Sequence, residues 1–188
     1  MDPGGRTARA DDSSADDGRG GRDRIGLRLA AVLTLLLGPL AVLAWLLGLP
    51  VLLPSLGPSA YALATRERAW RSLAREVAIG QTVGVVVAFL AVRALVGPLR
   101  AVSLLPHTAG GLHQVVAVVL AVGLATVGMS ALDARHAPAY ATVLIFTLGI
   151  PGRAVDVIVF LGGVATLLAL DAARVRLRGA TADPARRP

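Results

Sequence analysis

Pro50-Val51-Leu52-Leu53-Pro54-Ser55-Leu56-Gly57-Pro58-Ser59-Ala60-Tyr61-Ala62-Leu63-Ala64 and Pro138-Ala139-Tyr140-Ala141-Thr142-Val143-Leu144-Ile145-Phe146-Thr147-Leu148-Gly149-Ile150 decide how this chain is read. Both are apolar, both contain Pro, small residues, hydroxyls and one Tyr, and each directly follows a long hydrophobic segment. As regular helices they would measure roughly 20 Å, against a hydrocarbon core of about 30 Å. Outside them, four segments reach the length that a spanning helix needs: Leu27 to Leu49, Val77 to Val96, Val115 to Leu132 and Ala154 to Leu170. The first holds Gly38-Pro39, where a kink is expected, because Pro removes a backbone donor and its ring crowds the carbonyl one turn back. The expected fold is an all-α polytopic membrane protein with four long transmembrane helices plus two short Pro-broken segments.

Composition leads to the same class. Of 188 residues, 55% are hydrophobic, and the mean hydropathy of +0.68 is far above that of a soluble domain. The formal charge of +7 is carried by Arg with no Lys. These Arg residues flank apolar runs and have few aromatic partners, which reads as membrane topology rather than nucleic-acid binding. With no Cys, thiol catalysis, disulfides and thiolate metal sites are excluded. The chain has no His-Glu-x-x-His, no Gly-x-Ser-x-Gly and no phosphate-cradling loop, and its only Glu residues are Glu67 and Glu76. An enzyme is not expected, and neither is a catalytic residue, a metal or a cofactor.

Three regions follow from the polarity profile. Residues 1–24 are rich in Gly, Asp, Ser and Arg and are expected to be disordered, 25–172 form the transmembrane domain, and 173–188 form a basic tail. A secretory signal is the competing reading of the N-terminus, but the run from Ile25 to Leu49 is too long for its apolar core. The arginines then bear on whether the short segments cross. With four crossings and the N-terminus inside, Arg66, Arg68, Arg71, Arg75, Arg135 and Arg153 all lie outside; with six, only Arg93, Arg100 and Arg153 do. The positive-inside rule favours six, with both termini cytoplasmic in a bacterial inner membrane. An interfacial amphipathic helix around Arg66 to Arg75 is the alternative.

Six crossings would make the two halves inverted copies, each long, short, long. Pro58-Ser59-Ala60-Tyr61-Ala62 matches Pro138-Ala139-Tyr140-Ala141-Thr142 with one residue of slippage, a chance match being the competing reading. Pro-interrupted short segments at corresponding places of inverted halves point to a solute site in transporters. The expected arrangement has the two broken elements meeting near the midplane and presenting backbone N–H groups, since the N-terminus of a half-helix attracts anions.

Leu53-Pro54-Ser55-Leu56-Gly57-Pro58-Ser59-Ala60 resembles the first signature of the HPP family of small integral membrane proteins, usually described with four transmembrane helices. Glu76-Val77-Ala78-Ile79-Gly80-Gln81-Thr82 stands where that family has a Gly-rich helix start, and Arg135-His136-Ala137-Pro138-Ala139-Tyr140-Ala141-Thr142 resembles its His-Pro-Pro-Ala-Gly-Ala-Thr motif. The resemblance runs from about Leu27 to Asp171 and implies carriage of nitrite across organellar or bacterial membranes. The motif is altered at Ala137 and Tyr140, and Thr82 stands where His is common.

The residues expected to line a solute path are His136, Pro138, Tyr140, Thr142, Ser55, Ser59, Tyr61, Gln81 and Thr82. His136 is the most informative of them, as an imidazole able to hold an anion or exchange a proton; capping the preceding helix is its other reading. The hydroxyls have an alternative role in bonding backbone freed by Pro, and Gln81 and Thr82 in joining helices. His107 and His113 read as solvated, and Asp156 as either pairing with nearby Arg153 or remaining wet. Gly80-Gln81-Thr82-Val83-Gly84 is a close-packing motif that serves either within the chain or in a homodimer. The expected partners are the lipid bilayer and a small inorganic anion. The leading expectation is a small transporter or channel-like protein; a non-transporting membrane scaffold is the alternative.

Overall fold

The computed structural model describes residues 11–65, 69–97, 107–150 and 152–182, with side chains from Arg24 to Arg178. Residues 1–10 of the N-terminal tail and 183–188 of the C-terminal tail lie outside the described residues, as do Arg66, Arg68 and Arg100. Six helices follow one another: α1 (Asp11–Leu47), α2 (Leu56–Ala64), α3 (Trp70–Leu95), α4 (Ala109–Ala131), α5 (Pro138–Thr147) and α6 (Ala154–Ala182), with no strand among the described residues. Four stretches are long and apolar enough to cross a membrane: Arg24–Leu47, Trp70–Leu95, Ala109–Ala131 and Ala154–Arg178. The chain is an all-α membrane protein of four long helices and two short ones.

Several helices outrun their apolar cores. The backbone of α1 is helical from Asp11, where disorder is expected, and continues through Gly38-Pro39. Nucleation is the costly step of helix formation, and adding polar residues to an existing spanning helix costs little. Helix α3 likewise begins at Trp70 rather than Val77, so Arg71 and Arg75 project from its first turns. Arg75 donates to Leu132 O at 2.9 Å and Asp133 O at 3.3 Å, satisfying carbonyls at the end of α4 where a cation meets the negative pole of the helix. Helix α6 runs on to Ala182 and carries Arg174, Arg176 and Arg178, which the sequence reading assigns to a tail from residue 173.

Arg174 is in fact buried. Its Nε donates to Asp171 Oδ1 at 2.7 Å and its Nη2 to Leu63 O at 3.2 Å, while Trp70 Nε1 donates to Asp171 Oδ2 at 2.9 Å. This cluster ties the end of α2, the start of α3 and the end of α6 together; with the Arg75 bonds it gathers four helix termini at one end of the bundle. The opposite end holds the start of α4, where Gln114 Nε2 donates to Thr147 O at 3.2 Å, and so the end of α5. Helix α5 therefore runs antiparallel to α4. At the start of α6, Asp156 accepts from Arg153 N at 2.9 Å and pairs with Arg153 Nη2 at 2.9 Å, the first of the two outcomes open from sequence.

Packing inside the bundle depends on small residues, because lipid is as apolar as a protein core and close backbone approach has to supply the attraction. Helix α4 buries Ala117, Ala121 and Ala125, one every fourth residue, and turns Val119, Leu120, Leu124 and Val127 outward. Gly80 and Gly84 of α3 face α5 and the residues just before it: a Cβ at Gly80 would lie 2.5 Å from His136 Cβ, and one at Gly84 would lie 2.9 Å from Ala139 O. The Gly-xxx-Gly motif is thus used within the chain. On the other side, a Cβ at Gly163 of α6 would run into Val51 O, in the irregular segment before α2. Each short segment thus packs by a backbone carbonyl on a Gly of a long helix, Ala139 O on Gly84 and Val51 O on Gly163. Helices α3, α4 and α5 pack most tightly, across the two halves, and Phe146 and Phe160 join α5 to α6 edge to face at 5.6 Å.

Candidate functional site

Helix α4 ends in a Schellman turn. Asp133 takes φ 47, Asp133 N donates to Ser130 O at 3.2 Å and Ala134 N to Met129 O at 2.9 Å. The left-handed residue reverses the chain, so the connector 132–137 turns back into the bundle and seats His136 against Gly80. Only a residue without a side chain allows that approach. The connector brings His136 onto α2, where Ser59 Oγ lies 2.9 Å from His136 Nε2.

From there a chain of polar contacts crosses the bundle. Thr142 of α5 donates to Gln81 Oε1, Gln81 Nε2 donates to Ser59 Oγ at 2.9 Å, and Ser59 also reaches Ser55 O at 3.1 Å. Ser59, Gln81 and Thr142 are fully buried and His136 nearly so. Gln81 thus uses both ends of its amide, Oε1 accepting from Thr142 and Nε2 donating to Ser59. In an apolar interior such a network persists only when its members satisfy one another. Ser55 Oγ is the exception: it is buried and, among the described residues, has no partner.

His136 is reached from one end of the bundle. A pocket of about 390 Å³ is lined by Thr65, Leu73, Glu76, Arg135, His136 and Pro138, and a second of about 240 Å³ by Thr126, Ser130, Arg135, His136 and Tyr140. Arg135, His136 and Ala137 form the wall they share. His136 lies in the connector, outside the four spanning helices, and burial pushes its pKa below the ordinary imidazole range, which keeps the ring neutral. On α3 and α5 beyond Gln81 and Thr142, the buried residues Val85, Ala88, Val143 and Phe146 are apolar. The arrangement is a neutral hydrogen-bonding site with a cation, Arg135, at its exposed mouth.

Of the nine residues expected to line a path, the structure joins His136, Ser59, Gln81 and Thr142 directly and places Ser55 one helical turn before Ser59. Pro138 opens α5 and borders the larger pocket. Tyr140 borders the smaller one, its hydroxyl 2.9 Å from Thr126 Oγ1. Tyr61 and Thr82 face outward and join neither pocket nor network. His107 and His113 are exposed, as expected.

The expected backbone N–H groups are not on offer. Leu56 N donates to Leu53 O at 2.9 Å and Gly57 N to Pro54 O at 3.3 Å; Ala139 N donates to His136 O at 3.0 Å and Tyr140 N to Ala137 O at 3.1 Å. Pro58 and Pro138 have no N–H to give. Tight turns satisfy both half-helix starts, so side chains, not helix termini, make up the site. The sequence reading missed Arg135 and Glu76 as pocket residues. Their proximity to His136 and Gln81 in sequence was the available signal for both.

Gln81 is central to the network, and its replacement separates the two faces of α3. Gln81→Leu is expected to destabilise the protein by about 1–3 kcal/mol, because the buried Thr142 hydroxyl loses its acceptor and Ser59 a donor. Thr82→Leu, one position on and exposed, is expected to leave the melting temperature in detergent unchanged. Equal effects from the two would show that the network is not what holds this region. Neither a protein-family model nor a curated protein nor a solved structure matches the chain.

Proposed function

We propose that this chain is a small transporter of the bacterial inner membrane, both termini cytoplasmic, that carries a small solute, with an inorganic anion first among candidates. The observation that supports this reading is the His136–Ser59–Gln81–Thr142 network: four polar side chains from different parts of the sequence meet inside an apolar bundle at the junction of its two short broken segments. Intramembrane polar clusters of this kind mark solute and proton paths. Two pockets border His136 from one end of the bundle. The resemblance to the HPP family puts nitrite at the head of the anions, and Arg135 supplies the attractive charge at the mouth.

Proteoliposomes of the purified full chain, assayed for nitrite, nitrate, halide and formate uptake, test the proposal. Nitrite uptake is expected to exceed that of empty liposomes several-fold, and His136→Ala is expected to lower it about tenfold. If no anion enters faster than in empty liposomes, the transport reading falls and the scaffold reading takes its place.

A further inference from the structure

The hydroxyl of Ser59 has one proton and two acceptors within reach, Ser55 O at 3.1 Å and His136 Nε2 at 2.9 Å, while Gln81 Nε2 donates to it in either case. When Ser59 donates to His136, the ring proton sits on Nδ1, the nitrogen left for the pockets. When Ser59 donates to Ser55 O, its oxygen becomes an acceptor for an N–H at Nε2. The second arrangement is the one an imidazolium needs, because both ring nitrogens then carry protons and both must donate. We infer that Ser59 is a hydroxyl switch that lets the His136 site take up one proton together with one anion, so that transport is proton-coupled. This deepens the reading above and rests on it.

The physical case is a matter of charge and hydrogen bonds together. The ring is buried, and a lone imidazolium would be an uncompensated charge in an apolar bundle. An anion in the pocket cancels that charge and accepts from Nδ1–H, and Ser59, turned to Ser55 O, accepts from Nε2–H. Proton and anion therefore enter as a pair. The proton comes from water on the side the pockets face and returns to water with the anion on the far side, with no heavy-atom bond made or broken.

The other charged and titratable groups are accounted for element by element. Helix α3 contributes Glu76, which borders the larger pocket and has a partner of its own, and Arg75, bound to Leu132 O and Asp133 O. The connector contributes Asp133 and exposed Arg135, and α5 contributes Tyr140, bonded to Thr126. Among the described residues of α2 and α4, only Ser59, Thr126, Ser130 and other untitratable groups face the ring or its pockets. Among the described residues, His136 is thus the group placed between the network and the pockets that can take up a proton once an anion lies beside it.

The test uses proteoliposomes of the full chain with a lumenal pH indicator, the membrane potential clamped to zero with K⁺ and valinomycin, and an inward gradient of nitrite or, in parallel, of nitrate, whose acid does not exist un-ionised at neutral pH. The expected result is protein-dependent acidification of the lumen at one proton per anion, reduced at least tenfold by Ser59→Ala and kept by Ser59→Thr, which retains the hydroxyl. Anion uptake without protein-dependent acidification, or acidification undiminished in Ser59→Ala, overturns the inference and leaves the transport reading standing. Uptake of neither anion overturns both. Where Ser59→Ala does not fold, the wild-type ratio and Ser59→Thr decide.

Discussion

Asp171→Ala is expected to destabilise the protein by about 3–5 kcal/mol, a cost typical of breaking a buried ion pair by removing one partner. Asp171 is fully buried and accepts from Arg174 Nε and from Trp70 Nε1. Without it, Arg174, which is 7% exposed, keeps only Leu63 O among these partners, and the Trp70 indole N–H loses its acceptor. For a chain of this size the melting temperature in detergent should fall on the order of 10 °C. The double variant Asp171→Ala/Arg174→Leu should recover most of the loss, because replacing both members of a buried pair by apolar groups removes the uncompensated charge. A single variant that melts within a degree or two of wild type would mean that the cluster does not hold this end of the bundle together.

The second large effect turns on adjacent glycines of opposite sign. Gly163→Ala places a methyl against Val51 O and within 3.3 Å of Val51 Cγ1; the first obstacle is backbone, so α6 and the segment before α2 must separate. Overpacking of this kind costs about 1–3 kcal/mol. At Gly162, the preceding residue, an added methyl would meet nothing within 4 Å, so Gly162→Ala should stabilise α6 by up to about 1 kcal/mol through helix propensity alone. Melting curves of the two variants side by side read the difference. Two shifts of the same sign would remove the support for the carbonyl-on-glycine contact, and with it one of the two such contacts between short segments and long helices.

The legible part of this protein was its polarity profile. Four apolar runs and two Pro-broken ones locate all six helices, and Gln81, Ser59, His136 and Thr142 stand out because a polar residue in an apolar run needs a reason. What failed was the assignment of faces. Thr82 reads as well as Gln81 from sequence, yet it faces outward, and Tyr61 is 52% exposed although it lies within two residues of buried Ser59. In water, the apolar stripe of a helix marks its inner face; in a bilayer both faces are apolar, so periodicity loses that information. Arg174 was misread for a related reason: a charge after the last apolar residue looks like tail until Leu63, 111 positions away, is brought beside it.

Sequence by itself determined the class of the protein, the number and order of its helices, and the polar residues costly enough in an apolar chain to require partners. Only the tertiary structure decided which partners they have. Ser59 and His136 are separated by 77 positions and Gln81 and Thr142 by 61, distances over which no local propensity operates. It also decided that the two short segments keep their own backbone N–H groups in tight turns, so that what meets at their junction is a set of side chains. The reason is the same in both cases: without water in the bilayer core, each polar group must find its hydrogen bond within the protein, and only the folded arrangement says where.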